Sequence, residues 1–134
     1  MGAPRVTTRE ATFEPDSRSV RAARAFVASS VSLPEALEPA VALLVSELAA
    51  NAVLHARTAF RVRVTETLQV VRVEVTDTGG TMPVVKRYSL EASTGRGLRL
   101  IQSMASRWGV EAAPLGKTVW FELDLADPAV ARSA

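Results

Sequence analysis

Hydrophobic residues recur along this chain with two different periods, and the switches between them mark out its elements. Thr8 to Glu14 is β-rich and closed by Pro15, which predicts a short first strand. Asp16 or Ser17 then caps a helix, because Val20, Ala23, Val27 and Val31 follow at helical spacing. Pro34 and Pro39 stand where a second helix can begin, proline being tolerated in a first turn. From Ala40 onward Val41, Leu44, Leu48 and then Val53 or Leu54 carry an apolar stripe to about His55.

Beyond His55 the period changes to two. Phe60, Val62 and Val64 alternate with Arg61, Arg63 and Thr65, and Val71, Val73 and Val75 repeat the pattern up to Asp77. Thr78-Gly79-Gly80 breaks that strand. Residues 81–94 show no period and predict a long loop of the kind that serves as a lid. Gly95-Arg96-Gly97 opens a third helix, with Leu98, Ile101, Met104, Ala105 and Trp108 on one stripe. A final hairpin turns at Leu115-Gly116, and Val119, Phe121, Leu123 and Leu125 alternate along its second strand.

Successive strands joined by short turns pair antiparallel. The expected fold class is therefore α+β: a two-layer α/β sandwich whose mixed, mostly antiparallel sheet is covered on one face by about three helices. With 134 residues and no internal repeat, the chain is expected to form a single domain over 1–134, its core at about 8–125 and a flexible tail at 126–134.

Composition narrows the function classes. Apolar residues at 48 % and charged residues at 22 % suit a soluble globular protein. The sequence pI of 9.7 reflects a net charge of only +2 with few groups titrating between pH 7 and 10. Acids and bases alternate rather than cluster, which argues against direct nucleic-acid binding. The absence of cysteine excludes disulfides, thiolate metal sites and cysteine nucleophiles, and His55 alone cannot build a His-rich zinc site. The longest unbroken apolar run, Ala40 to Val45, is too short to span a membrane, and MGAPRVTTRE lacks the apolar core of a signal peptide. The expectation is a cytoplasmic protein with no membrane partner.

Four short segments carry candidate chemistry. Glu47 and Asn51 are four apart and so share one helix face in a stretch otherwise made of Ala, Leu and Val. A carboxylate beside an amide oxygen suits a hard cation and an oriented nucleophile; a solvent-facing Glu and Asn would look the same. Asp77 has the parity of Val71, Val73 and Val75 and should point inward, where a carboxylate needs donors from backbone or ligand. Its plain reading is an Asp that starts a turn before Gly79 and Gly80. Gly95, Arg96, Gly97 and Leu98 place glycines and a guanidinium at a helix start, where backbone N–H groups and the helix dipole favour an anion. Thr118, after Gly116 and Lys117, lies on the polar parity of the last strand; its hydroxyl can equally face water. Gly116-Lys117-Thr118 is no Walker A loop, since the upstream glycine is missing and a hairpin rather than a helix surrounds it. His55, four residues after Asn51, reads as a structural hydrogen-bonder or a further site residue.

Taken in order, Glu47-x-x-x-Asn51 on a helix, Asp77-x-Gly79 at a strand end, Gly95-x-Gly97 after a lid and a late Gly and Thr resemble the GHKL ATPase superfamily. LVSELAANAVLHA and GRGLRLI are closest to its smallest branch, the bacterial anti-sigma-factor serine/threonine kinases, and the resemblance covers roughly residues 8–125. It implies a Bergerat-type ATP-binding sandwich. Asn51 would ligate Mg²⁺, and Asp77 would accept from the adenine amino group with Gly79 allowing close approach. Thr118 would support the adenine pocket, and Gly95, Arg96, Gly97 and Leu98 would hold the phosphates. Glu47 would act as general base toward a serine of an anti-anti-sigma protein, with a sigma factor as the second partner and homodimerisation by analogy with the branch. Two features depart from the family pattern: Thr81 replaces the last glycine of D-x-G-x-G, and the lid from Thr81 to Thr94 has only Lys86 and Arg87 as basic residues. A non-catalytic ATP-sensing switch of the same fold is the alternative reading, and an interaction domain without nucleotide a third.

Overall fold

The period-two segments form β2 (Phe60–Glu66) and β3 (Val70–Asp77), flanked by β1 (Thr7–Phe13) and the hairpin β4 (Arg107–Ala113) and β5 (Gly116–Asp124). They make one five-stranded sheet in the order β1-β2-β3-β5-β4, with every neighbouring pair antiparallel. A computed structural model describes residues 6–79, 101 and 103–125 of the chain. The expected lid at 81–94, the segment Gly95–Leu98 and the tail at 126–134 lie outside the described residues.

Among the described residues, the helices α1 (Arg18–Ser30) and α2 (Glu38–Asn51) pack on one face. α1 starts after Asp16, whose Oδ1 accepts from the Arg18 amide at 2.8 Å and whose carbonyl accepts from the Ser19 amide at 2.8 Å. Asp16 therefore supplies the cap, and Ser17 makes no capping bond. α2 carries Pro39 in its first turn, as the sequence suggests, after a 3₁₀ turn over Glu35–Leu37. It continues through a wider π turn over Ala52–Ala56, closed by the Arg57 amide on the Ala52 carbonyl at 3.0 Å. Arg57 ends it at φ 59°, a left-handed conformation that a side-chain-bearing residue adopts at a cost of about 1 kcal/mol.

Between the layers, Ala23 and Val27 of α1 and Val41, Leu44, Val45, Leu48 and Ala49 of α2 meet the inward row of the sheet: Val62, Val64, Val71, Val73, Val119, Phe121 and Leu123. The helical run Glu35–Ala56, 22 residues long, has the length and apolarity to cross a membrane, its most apolar 18-residue window having a mean hydropathy of 1.5. No unbroken stretch signals this, because Ser46, Glu47 and Asn51 interrupt it; its buried side chains lie in the core shared with the sheet.

One expected element is shorter than its pattern. Ile101, Ser103 and Met104 are helical and the Ala105 amide closes on Ile101 at 2.8 Å, but Trp108 lies in β4. The Ser106 amide donates to the Glu122 carbonyl at 2.8 Å, which pulls the chain into the sheet before the apolar stripe ends at Trp108. Trp108 satisfies the helical spacing by coincidence and pairs with Phe121 instead.

Candidate functional site

One register row crosses all five strands near the end of the sheet where β3 stops. Phe13 lies opposite Phe60, Phe60 opposite Asp77, Asp77 opposite Lys117, and Lys117 opposite Ala112. Directly opposed residues share a face, so the row has an aromatic half and a charged centre. Phe13 and Phe60 stack with centroids 5.5 Å apart, and Phe13 meets Phe26 of α1 edge-on at 6.1 Å.

Asp77 points inward as its parity requires and is 3 % exposed; Lys117 is fully buried. The Lys117 ammonium donates to Asp77 Oδ2, and the Gly79 amide donates to Asp77 Oδ1 at 2.9 Å. Two buried opposite charges in contact offset the loss of hydration that either would suffer alone. Glycines wall the carboxylate on two sides. A Cβ on Gly79 would stand 3.2 Å from Asp77 Oδ1, and one on Gly116 would stand 2.9 Å from the same oxygen while overlapping the Asp77 carbonyl.

The helix layer meets this strand end through Ala56, whose Cα lies 3.5 Å from where a Gly79 Cβ would be. The π turn thus seats the C-terminal end of α2 against the loop after β3. Glu47 and Asn51 lie on that helix one turn apart, both half-buried, between the buried Leu48 and Ala52 on one side and the exposed Leu43 and Leu54 on the other. Their flank of α2 is the one left partly open when the Leu stripe packs on the sheet. His55 stands exposed in the π turn.

Thr118 and Asp77 line one open depression at the end of β3, but their side chains leave the sheet on opposite faces. Successive strand residues point to opposite faces, so with Lys117 inward Thr118 faces outward, where its hydroxyl bonds the Thr76 hydroxyl at 2.7 Å. The Thr76–Thr118 pair and Asp77 line this depression together with Phe60, Arg61 and Leu115. Farther along the outer face a charge network covers the sheet. Arg72 lies 4.1 Å over the Trp120 ring and pairs with Glu122 at 2.9 Å, and Arg107 pairs with Glu122 at 2.7 Å and with Asp124. Arg107 holds both the Glu122 and the Asp124 carboxyls below their ordinary values.

Sequence reasoning singled out Glu47 and Asn51, which lie in the last turns of α2, and Asp77, which ends β3. It missed Lys117, although the alternation that assigns Val119, Phe121 and Leu123 to the core assigns Lys117 to it too. Gly95, Arg96, Gly97 and Leu98 lie outside the described residues.

The donor set fits a purine nucleotide. A buried carboxylate accepts at about four lone-pair positions; among the described residues the Lys117 ammonium holds Oδ2 and the Gly79 amide holds Oδ1, so a base amino group reaches Asp77 by sharing or displacing one of them. Among the described residues no group of three His, Cys, Asp or Glu side chains is placed to hold a metal ion. A cation here would thus take protein oxygen from an amide such as that of Asn51 and the rest from phosphate and water, the usual pattern for Mg²⁺.

A family model described as a histidine kinase-like ATPase domain matches residues 13–123, which includes every described site residue. No curated protein matches the chain.

Proposed function

Because the chain belongs to the histidine kinase-like ATPase domain family, we propose that it is an ATP-binding regulator of the anti-sigma-factor kind, which phosphorylates a serine or threonine of an anti-anti-sigma protein and so controls a sigma factor in the cytoplasm. The observation that carries this reading is the meeting of α2, with Glu47 and Asn51 one turn apart, and the β3 end, with its buried Asp77. ATP supplies the phosphoryl group. Asp77 accepts from the adenine amino group, Gly79 lets the base approach, and Asn51 lends its amide oxygen to Mg²⁺. Gly95, Arg96, Gly97 and Leu98 hold the phosphates by resemblance to the family. Glu47 takes the proton from the incoming hydroxyl, a task for a carboxylate within reach of the nucleophile.

The test is transfer of the γ-phosphate from labelled ATP to a cognate anti-anti-sigma protein. Transfer that disappears when the acceptor serine is replaced supports the reading; absence of transfer to a verified binding partner overturns the kinase. A non-catalytic ATP-sensing switch is the second reading. In that case partner control responds to ATP, and Glu47→Ala leaves the response intact.

A further inference from the structure

The reading above gives Asp77 the adenine amino group, yet the structure gives the same carboxylate an ammonium. Resting on that reading, we infer that Lys117 is an internal competitor for the nucleobase: it holds the base's position at Asp77 and must swing away before ATP can seat, so it sets the affinity and the base selectivity of the site.

Three observations converge. Lys117 and Asp77 are register partners in the central pair β3–β5, so the contact is built into the sheet rather than made by a wandering surface chain. Lys117 is fully buried and Asp77 nearly so, and the ammonium sits directly on Oδ2. The remaining oxygen, Oδ1, already accepts from the Gly79 amide and is hemmed by Gly116.

The competition favours the lysine. A charge-assisted bond from an ammonium is roughly twice as strong as a neutral one from an aromatic amine. The ammonium is tethered to the site, whereas the nucleotide loses translational and rotational freedom on entry. ATP therefore binds only where its phosphate and cation contacts outweigh the broken ion pair. Lysine suits such a device, because its flexible four-carbon stem can carry a compact charge out of the way. A base without an amino group at the same position gains nothing at Asp77 from that displacement.

Calorimetric titration of Mg-ATP and Mg-ITP into the wild type, Lys117→Ala and Lys117→Gln tests this, ITP carrying a carbonyl where adenine has its amino group. The Ala variant should bind ATP about tenfold tighter or more, with ITP affinity changed far less. Gln, which keeps a neutral donor to Asp77, should give a smaller gain in the same direction; it also keeps the test valid if the Ala variant does not fold. ATP affinity that is unchanged or weaker in a folded variant overturns the competitor and makes Lys117 either neutral or a ligand contact. Equal gains for ATP and ITP overturn the selectivity. Failure of all three proteins to bind either nucleotide overturns the ATP reading itself, a result distinct from the other two.

Discussion

Gly116 opens β5 with its Cα pressed against Asp77: a methyl group there would overlap the Asp77 carbonyl oxygen and stand 2.9 Å from its Oδ1. The obstacle is largely backbone, which cannot rotate aside. Gly116→Ala should cost about 1–3 kcal/mol and displace the β3 end that carries the carboxylate. Urea unfolding checks this, and a loss within about 0.5 kcal/mol, the range of an ordinary surface substitution, would show that the strands separate easily here.

Removing one member of the Asp77–Lys117 pair leaves the other charged and buried. Asp77→Ala should therefore destabilise by about 3–5 kcal/mol, and adding Lys117→Met should recover much of that loss. A double-mutant cycle by chemical denaturation measures the coupling. Additive losses in the two single variants would mean the pair contributes no more than its parts.

Glu47 and Asn51 should separate chemistry from binding. Glu47→Ala should abolish phosphoryl transfer and keep ATP affinity, since the carboxylate is assigned to the nucleophile's proton rather than to the nucleotide. Asn51→Ala should instead weaken ATP binding in the presence of Mg²⁺ and make little difference without it. Titrations with and without the cation, set beside the transfer assay, distinguish the two roles.

The outer-face network makes stability depend on pH in the acid range. Glu122 and Asp124 have folded pKa values lowered first by hydrogen bonds from Arg107, from ordinary values of 4.5 and 3.8. A lowered folded pKa gives stability that is present above the unfolded value and lost as pH falls through the folded one. Thermal stability should thus decline as pH drops below about 4.5, and Arg107→Ala should reduce that decline. Salt should flatten it as well, because Arg107 and Asp124 are exposed to solvent.

Much of this architecture is legible in the sequence. Alternation locates β2, β3 and β5 within a residue or two, and the stripe from Val41 to Leu48 fixes which side of α2 meets them. The same alternation sends Asp77 inward. What it left unread is physical in origin. Trp108 fits a helical period and a strand equally well, and only the bond from Ser106 to Glu122 decides between them. Lys117 was overlooked because a lysine on core parity breaks the rule that charges face water; its partner 40 residues earlier becomes visible only when β3 and β5 are laid side by side.

The central claim is that this fold holds a nucleotide between the α2 end and Asp77. Calorimetric titration of Mg-ATP into the wild type and Asn51→Ala, carried into the millimolar range, tests it most directly. The account predicts saturable one-to-one binding by the wild type that the variant loses. Absence of saturation in the wild type and in Lys117→Gln alike would contradict it, leaving a domain of this fold that works through its protein surfaces alone.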